Sequence, residues 1–202
     1  MRKTVIRARE DLSMIVERDP SIHTRTQALL HPALPALWAH RAAHVLYTRR
    51  RRQLARLIAY FARAATGGVE IHPGARLGRR VFIDHGAAVV IGETAEIGDD
   101  VTIFHQVTLG AVGWWRDGRR APGARRHPVV GDRVVLGTNA IVLGPVTVGD
   151  DALIGAGALV LGDVPSRARV TAPVAAVAVP LSAAERAESE QLLRTLATAG
   201  CW

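Results

Sequence analysis

Cysteine is almost missing from this chain. Cys201 is the only one, which excludes an intrachain disulfide framework and a cysteine-rich zinc site. Aromatic residues are scarce as well, at 4%. Yet 49% of the 202 residues are hydrophobic, so the core has to be assembled from small and branched aliphatic side chains. That composition suits a solenoid of short coils better than an ordinary globule. Lysine is reduced to Lys3, and arginine carries nearly all of a formal net charge of +8. The excess suits an anionic ligand such as a phosphate-bearing coenzyme. The run Arg49–Arg52 is expected on the solvated face of one long helix from about Leu37 to Ala65, and no aromatic platforms interleave with it, so nucleic acid is not an expected partner. No apolar run reaches membrane length and no charged-then-apolar leader opens the sequence; a cytoplasmic protein without membrane contact is expected.

What the chain has in place of aromatics is a period of six. Ile71, Leu77, Ile83 and Val89 form one series. Ile91, Ile97, Ile103 and Leu109 form a second, displaced by two residues. Val130, Leu136, Val142, Val148, Ile154 and Val160 form a third. Glycine often follows, as at Gly78, Gly92, Gly98, Gly137 and Gly149. Each hexad makes a short strand and a corner, and three hexads, about 18 residues, close one triangular coil. The predicted fold is mainly β: a left-handed parallel β-helix preceded by a small α-helical domain. Residues 1–66 read as the helical region, 67–180 as the β-helix, and 181–202 as a helical tail. A loop at about 111–127 is extruded from a coil corner, a normal place for a binding function.

A β-helix needs few buried polar groups, so its polar clusters stand out. They are Glu70-Ile71-His72-Pro73, Ile83-Asp84-His85-Gly86 and Arg125-Arg126-His127-Pro128. Glu70 and His85 fall on adjacent coils near one corner. That spacing permits a carboxylate–imidazole dyad, in which the carboxylate fixes the ring and the free nitrogen acts as general base. Cys201 is too near the terminus to serve as a covalent carrier, so no covalent intermediate on it is expected.

These clusters, together with Val90-Ile91-Gly92-Glu93-Thr94-Ala95, Val107-Thr108-Leu109-Gly110 and the helical Arg18-Asp19-Pro20, resemble the serine O-acetyltransferases over roughly residues 15–170. The resemblance implies transfer of acetyl from acetyl-CoA to the hydroxyl of L-serine, giving O-acetylserine for cysteine biosynthesis. It implies His85 as general base and Glu70 as its partner. Asp19 and Asp84 match residues that hold the substrate ammonium. Arg126 and His127 match the pair that binds its carboxylate across a subunit interface. Gly110, Ala111 and Gly113 match the region where the thioester of acetyl-CoA lies. No metal is expected.

Some positions depart from the pattern. The loop after Gly110 is long, and Gly110-Ala111-Val112-Gly113-Trp114 stands where the family tends to have Gly-Gly-Thr-Gly-Lys, which removes a threonine and a lysine. His105 stands where glutamine is usual. The chain ends Gly200-Cys201-Trp202, not in the isoleucine with which many members enter cysteine synthase, so that partner is not supported by the C-terminus. A homotrimer is expected, because a lone β-helix leaves a broad face bare and His85 must meet Arg126 and His127; a hexamer is the larger alternative. Other readings stand beside this one. They are a hexapeptide acetyltransferase acting on another hydroxylated amino acid or biosynthetic intermediate, a zinc lyase using His85, His105 and His127, and a charge-driven nucleic-acid binder.

Overall fold

The computed structural model describes residues 2–121 and 123–173 and, in the last segment, 186–188, 190–191 and 194–195. Four helices come first: α1 (Arg2–Arg18), α2 (Arg25–Ala28), α3 (Leu34–Thr48) and α4 (Arg52–Ala65). The single long helix expected from Leu37 to Ala65 is therefore two. The break falls in the arginine run, where Arg50 takes a φ of 62°, and α3 packs against α4 across it. Adjacent arginines repel one another and offer no apolar position to bury, so the chain turns there and lets the apolar faces on either side meet.

Very short strands follow. They are β1 (Glu70–Ile71), β2 (Arg76–Leu77), β3 (Phe82–Ile83), β4 (Val90–Ile91), β5 (Glu96–Ile97), β6 (Thr102–Ile103) and β7 (Thr108–Gly110). After a loop carrying the short helix α5 (Trp114–Asp117) come β8 (Val129–Val130), β9 (Val135–Leu136), β10 (Ile141–Leu143), β11 (Thr147–Val148), β12 (Leu153–Ile154), β13 (Leu159–Val160) and β14 (Arg169–Val170). They form three parallel sheets, ordered β1-β4-β7-β10-β13, β11-β8-β5-β2 and β14-β12-β9-β6-β3. Up to β13 every third strand falls in the same sheet, and β14 joins β12 because the chain between β13 and β14 makes only a single bridge, Val164 to Val148; these are the three faces of a left-handed parallel β-helix. Among the described residues no strand exceeds three residues, whereas α1 has 17, α3 15 and α4 14. "Mainly β" thus describes the solenoid and not the residue count. The described parts of 186–195 are helical; 174–185 and 196–202 lie outside the described residues, with the outer limits expected for the β-helix and the tail.

The six-residue series become interior ladders. Ile71 pairs with Ile91, Ile91 with Leu109, Leu109 with Val142 and Val142 with Val160, all buried. The two-residue displacement read in the sequence is a long corner. Asp84 to Val89 separate β3 from β4, where only Phe104 to Val107 separate β6 from β7. The extruded loop leaves the ladders intact, since Thr102 pairs with Val135 and Glu96 with Val129 across it.

Helices close the first coil. Ala33, Ala36 and Leu37 belong to the same buried cluster as the ladders. A buried Arg41–Asp11 pair, at 2.5 and 2.6 Å, ties α3 to α1. Arg18 at the end of α1 reaches the β-helix, donating to the Asp100 carbonyl, the Asp100 carboxylate and Thr102 Oγ1 at 2.9–3.1 Å. This tether fixes where the residue after α1 stands.

Candidate active site

That next residue is Asp19, and it meets the long corner. His85 and Gly86 take successive φ values of 59° and 57°. A Cβ on Gly86 would come within 2.9 Å of Ala33 Cβ, so the start of α3 rests on this corner and only glycine fits beneath it. The left-handed turn throws His85 outward, its side chain 72% exposed, with Asp84 Oδ2 3.8 Å from its Nε2. Asp19, Asp84 and His85 line one cleft of about 500 Å³ with Ser21 and His31.

Asp19 is prepared for charge. The Ser21 hydroxyl and backbone N–H donate to its Oδ1 at 2.6 and 2.9 Å, and these bonds hold its carboxyl below the usual range. His31 escaped the sequence reading. Burial pushes its imidazole down, against the pull of Asp19 and Asp84, and its Nδ1 accepts the Ala33 N–H at 3.3 Å. It belongs to no repeat, and only the docking of the helices on the β-helix brings it to the cleft.

A second cluster surrounds Arg126 and His127. Thr94 organises it. Its Oγ1 accepts the N–H of Arg126 at 2.9 Å and of His127 at 3.1 Å, and lies 2.9 Å from His127 Nδ1. The Thr94 N–H also donates to that Nδ1, at 3.2 Å. Nδ1 therefore carries the lone pair and Nε2 the proton. Burial, then the Arg126 charge, pushes the His127 imidazole down, which keeps it a neutral donor. Arg126 donates to Glu93 Oε2 at 2.6 Å, and the Tyr47 hydroxyl donates to Glu93 Oε1 at 2.7 Å. The Tyr47 bond holds the Glu93 carboxyl below the usual range, with help from His72 and Arg126 and against the effect of burial. Arg126 lines an open cleft of about 770 Å³ with Arg52, Arg76, Arg120 and Trp114. Trp114 is 82% exposed and packs edge-on against Trp115.

The clefts share no lining residue. Within one chain, the structure brings Asp19, Asp84 and His85 together, and Arg126 with His127, but not the two groups with each other. Nor does it join Glu70 to His85. Glu70 Oε2 pairs with Arg63 at 2.9 Å and lines a different pocket with His72; among the described residues no ion pair or hydrogen bond links it to His85. Gly110 ends β7 and packs by Leu143. The Gly113 N–H donates to Asp117 Oδ2 at 3.2 Å, and Ala111 lies between them. None of these three lines the arginine-rich cleft. Among the described residues no group of three or more His, Cys, Asp or Glu side chains is placed to hold a metal, and no helix is long and apolar enough to cross a membrane.

Comparisons with known proteins agree with this architecture. Residues 127–162 match the family model described as bacterial transferase hexapeptide (six repeats). A serine acetyltransferase of Mycobacterium tuberculosis is 52% identical over 141 residues, spanning 69% of this chain and 58% of that protein. One from Bacillus licheniformis is 46% identical over 158 residues, spanning 78% of this chain and 69% of the relative. Among solved structures, Neisseria gonorrhoeae serine acetyltransferase in complex with serine superposes with a TM-score of 0.76 at 37% identity, covering 90% of this chain and 69% of that one.

Proposed function

The chain belongs to the serine acetyltransferase family, and from that premise we propose that it transfers the acetyl group of acetyl-CoA to the hydroxyl of L-serine. The observation that carries the proposal is the cleft at the long corner, where an outward imidazole, His85, stands among two carboxylates, Asp84 and Asp19. An alcohol is a weak nucleophile and needs a base at the moment of attack. His85 takes the serine hydroxyl proton as the oxygen attacks the thioester carbonyl. The tetrahedral intermediate then expels the CoA thiolate, which recovers that proton from the imidazolium. Asp19 and Asp84 are suited to the ammonium of serine. Arg126 and the Nε2–H of His127 are suited to its carboxylate.

For both ends of serine to be held, the two clefts have to face each other, and they do so only if one comes from a second copy of the chain. A cyclic homotrimer supplies that geometry at every interface with a single kind of contact. Glu70, freed from Arg63, is the carboxylate proposed to support His85. Gly110, Ala111 and Gly113, where the loop leaves the coil, are proposed to meet the thioester end of acetyl-CoA, with their backbone N–H groups available to the oxyanion. A cytoplasmic biosynthetic role completes the reading.

The test is release of free thiol from acetyl-CoA by the purified protein, measured with L-serine, homoserine and serine methyl ester in turn. The proposal expects release with L-serine and little with the ester, which lacks the carboxylate. Equal rates with the ester would retire serine as the acceptor and leave an acetyltransferase of other specificity.

A further inference from the structure

Each of the two clefts carries one bare apolar side chain at its rim. Among the described residues Leu30, 84% exposed, and Trp114, 82% exposed, are the most exposed of the large hydrophobics. Leu30 lines the His85 cleft and Trp114 the Arg126 cleft. The local structure holds both of them out. On one side, α2 turns Ala28 into the core, which leaves Leu29 and Leu30 in solvent. With Pro32, Pro35 and Ala65 they line an open hollow of about 370 Å³ that reaches His85. On the other side, Trp115 lies back on its own loop: a Cβ on Gly113 would stand 2.5 Å from its ring. The Asp117 carboxylate, its side chain 5% exposed, braces that turn. It accepts the Gly113 N–H at 3.2 Å and the Arg120 Nε–H at 3.0 Å. With Trp115 and Asp117 so placed, Trp114 has no cover from its own loop.

We propose that Trp114 of one copy inserts into the hollow lined by Leu29, Leu30, Pro32 and Pro35 of the next copy, and that this contact closes the rim of each shared serine site. The inference rests on the shared-site acetyltransferase reading. Within one chain Trp114 does not reach the hollow, since the cleft it lines has no residue in common with it. A second copy is the occupant that the charges select. The loop bearing Trp114 also carries Arg116, Arg119, Arg120 and Arg126, and the cleft beside the hollow carries Asp19 and Asp84. The one arginine of that cleft, Arg18, is paired with Asp100. Basic loop and acidic rim therefore attract, and the contact is head to tail, the kind that a threefold ring closes. An indole entering an apolar hollow is the side chain that gains most from leaving water at an interface. Seated there, it walls one side of the site, and serine is gripped away from bulk solvent.

The test places cysteines at the two positions in chains that also carry Cys201→Ser. Leu30→Cys and Trp114→Cys chains are co-expressed and treated with a short bifunctional maleimide, which spans the width of the missing indole. A covalent pair of unlike chains is expected. Neither variant alone should link, because a head-to-tail contact never brings like residues together. One chain carrying both changes should link into a covalent trimer. Both positions are exposed, so the variants keep the fold. Mass photometry on dilution gives the second readout. Trp114→Ala and Leu30→Ala should each raise the concentration of half-dissociation about tenfold or more, and the double variant no further than the larger single effect. A trimer that acetylates serine yet forms no link between positions 30 and 114, or whose two truncations add, overturns the inference and leaves the catalytic reading standing. A linked trimer that never acetylates serine faults the catalytic reading and keeps the contact. A fully active monomer overturns the contact and the shared site alike.

Discussion

The ring of His127 lies directly on the α-carbon of Gly92: a Cβ there would stand 1.9 Å from Cδ2 and 2.1 Å from Nε2 of the imidazole. Contact at that range is with a ring pinned by Thr94 on its far nitrogen, so neither partner can yield cheaply. Gly92→Ala is therefore expected to cost about 1–3 kcal/mol of stability and to displace His127. Thermal melts should fall by several degrees, and the serine KM should rise while the acetyl-CoA KM stays near its wild-type value. A Gly92→Ala protein with unchanged melting and unchanged serine KM would remove His127 from the site.

The left-handed backbone at His85 guides the choice of its replacement. Asparagine tolerates a φ of 59° better than alanine does. His85→Asn should keep the fold and its melting temperature while turnover drops about a hundredfold or more, the usual scale for losing a general base. A folded His85→Asn enzyme that turns over normally would falsify the assignment of the base.

Adjacent arginines in the loop have separate duties. Arg126 reaches Glu93 and the cleft, whereas Arg125 donates to the Pro145 carbonyl and to Thr147 Oγ1 on the next coil. Arg126→Ala should raise the serine KM about ten- to a hundredfold, the effect of losing one charge-assisted contact. Arg125→Ala should leave it within about threefold and act mainly on loop stability. Steady-state kinetics with serine varied at saturating acetyl-CoA compares the two, and equal effects would undo this division.

His40 predicts an acid weakness. It is 4% exposed, and burial, followed by His44 and Arg41, pushes its imidazole down to about 3. An unfolded histidine titrates near 6.5. Above that pH neither state binds the proton and His40 contributes nothing to the pH dependence. As pH falls from about 6.5 towards 3, only the unfolded chain takes up the proton, so stability is lost at up to about 1.4 kcal/mol per pH unit. His40→Gln removes one proton's worth of that slope. Urea melts between pH 7 and 4 should show a shallower decline in the variant, and parallel declines would mean that His40 is not the group responsible.

About half of the site is legible in the sequence alone. Asp84-His85-Gly86 and Arg126-His127 stand out because a solenoid interior has few polar residues; the two-residue slip between the first two aliphatic series is visible in the sequence, but only the structure shows it to be the long corner that carries His85. Asp19 was reached through its resemblance to a family pattern, and the structure gives it a physical position: Arg18 ties the end of α1 to Asp100 and Thr102. His31 and Tyr47 carried no signal, since helix docking alone decides which of their neighbours they meet. The long helix expected across Arg49–Arg52 failed because composition favoured helix on both sides, while the need of α3 and α4 to bury each other's apolar faces outweighed the propensity to continue.

The sequence by itself determined the solenoid. A six-residue aliphatic period with small residues at the corners leaves one way to bury every branched side chain, and each rung pairs only with its neighbours, so local pattern becomes global shape. Tertiary structure decided what faces what. The edge-to-face contact of His105 with His85 depends on the register of β3 and β6. The pairing of Glu70 with Arg63 depends on where α4 comes to rest against β1. The separation of the His85 cleft from the Arg126 cleft depends on which corners of the prism they occupy. These are relations between coils and helices that no local period encodes, because they arise only when separate elements are pressed together and their side chains compete for the same partners.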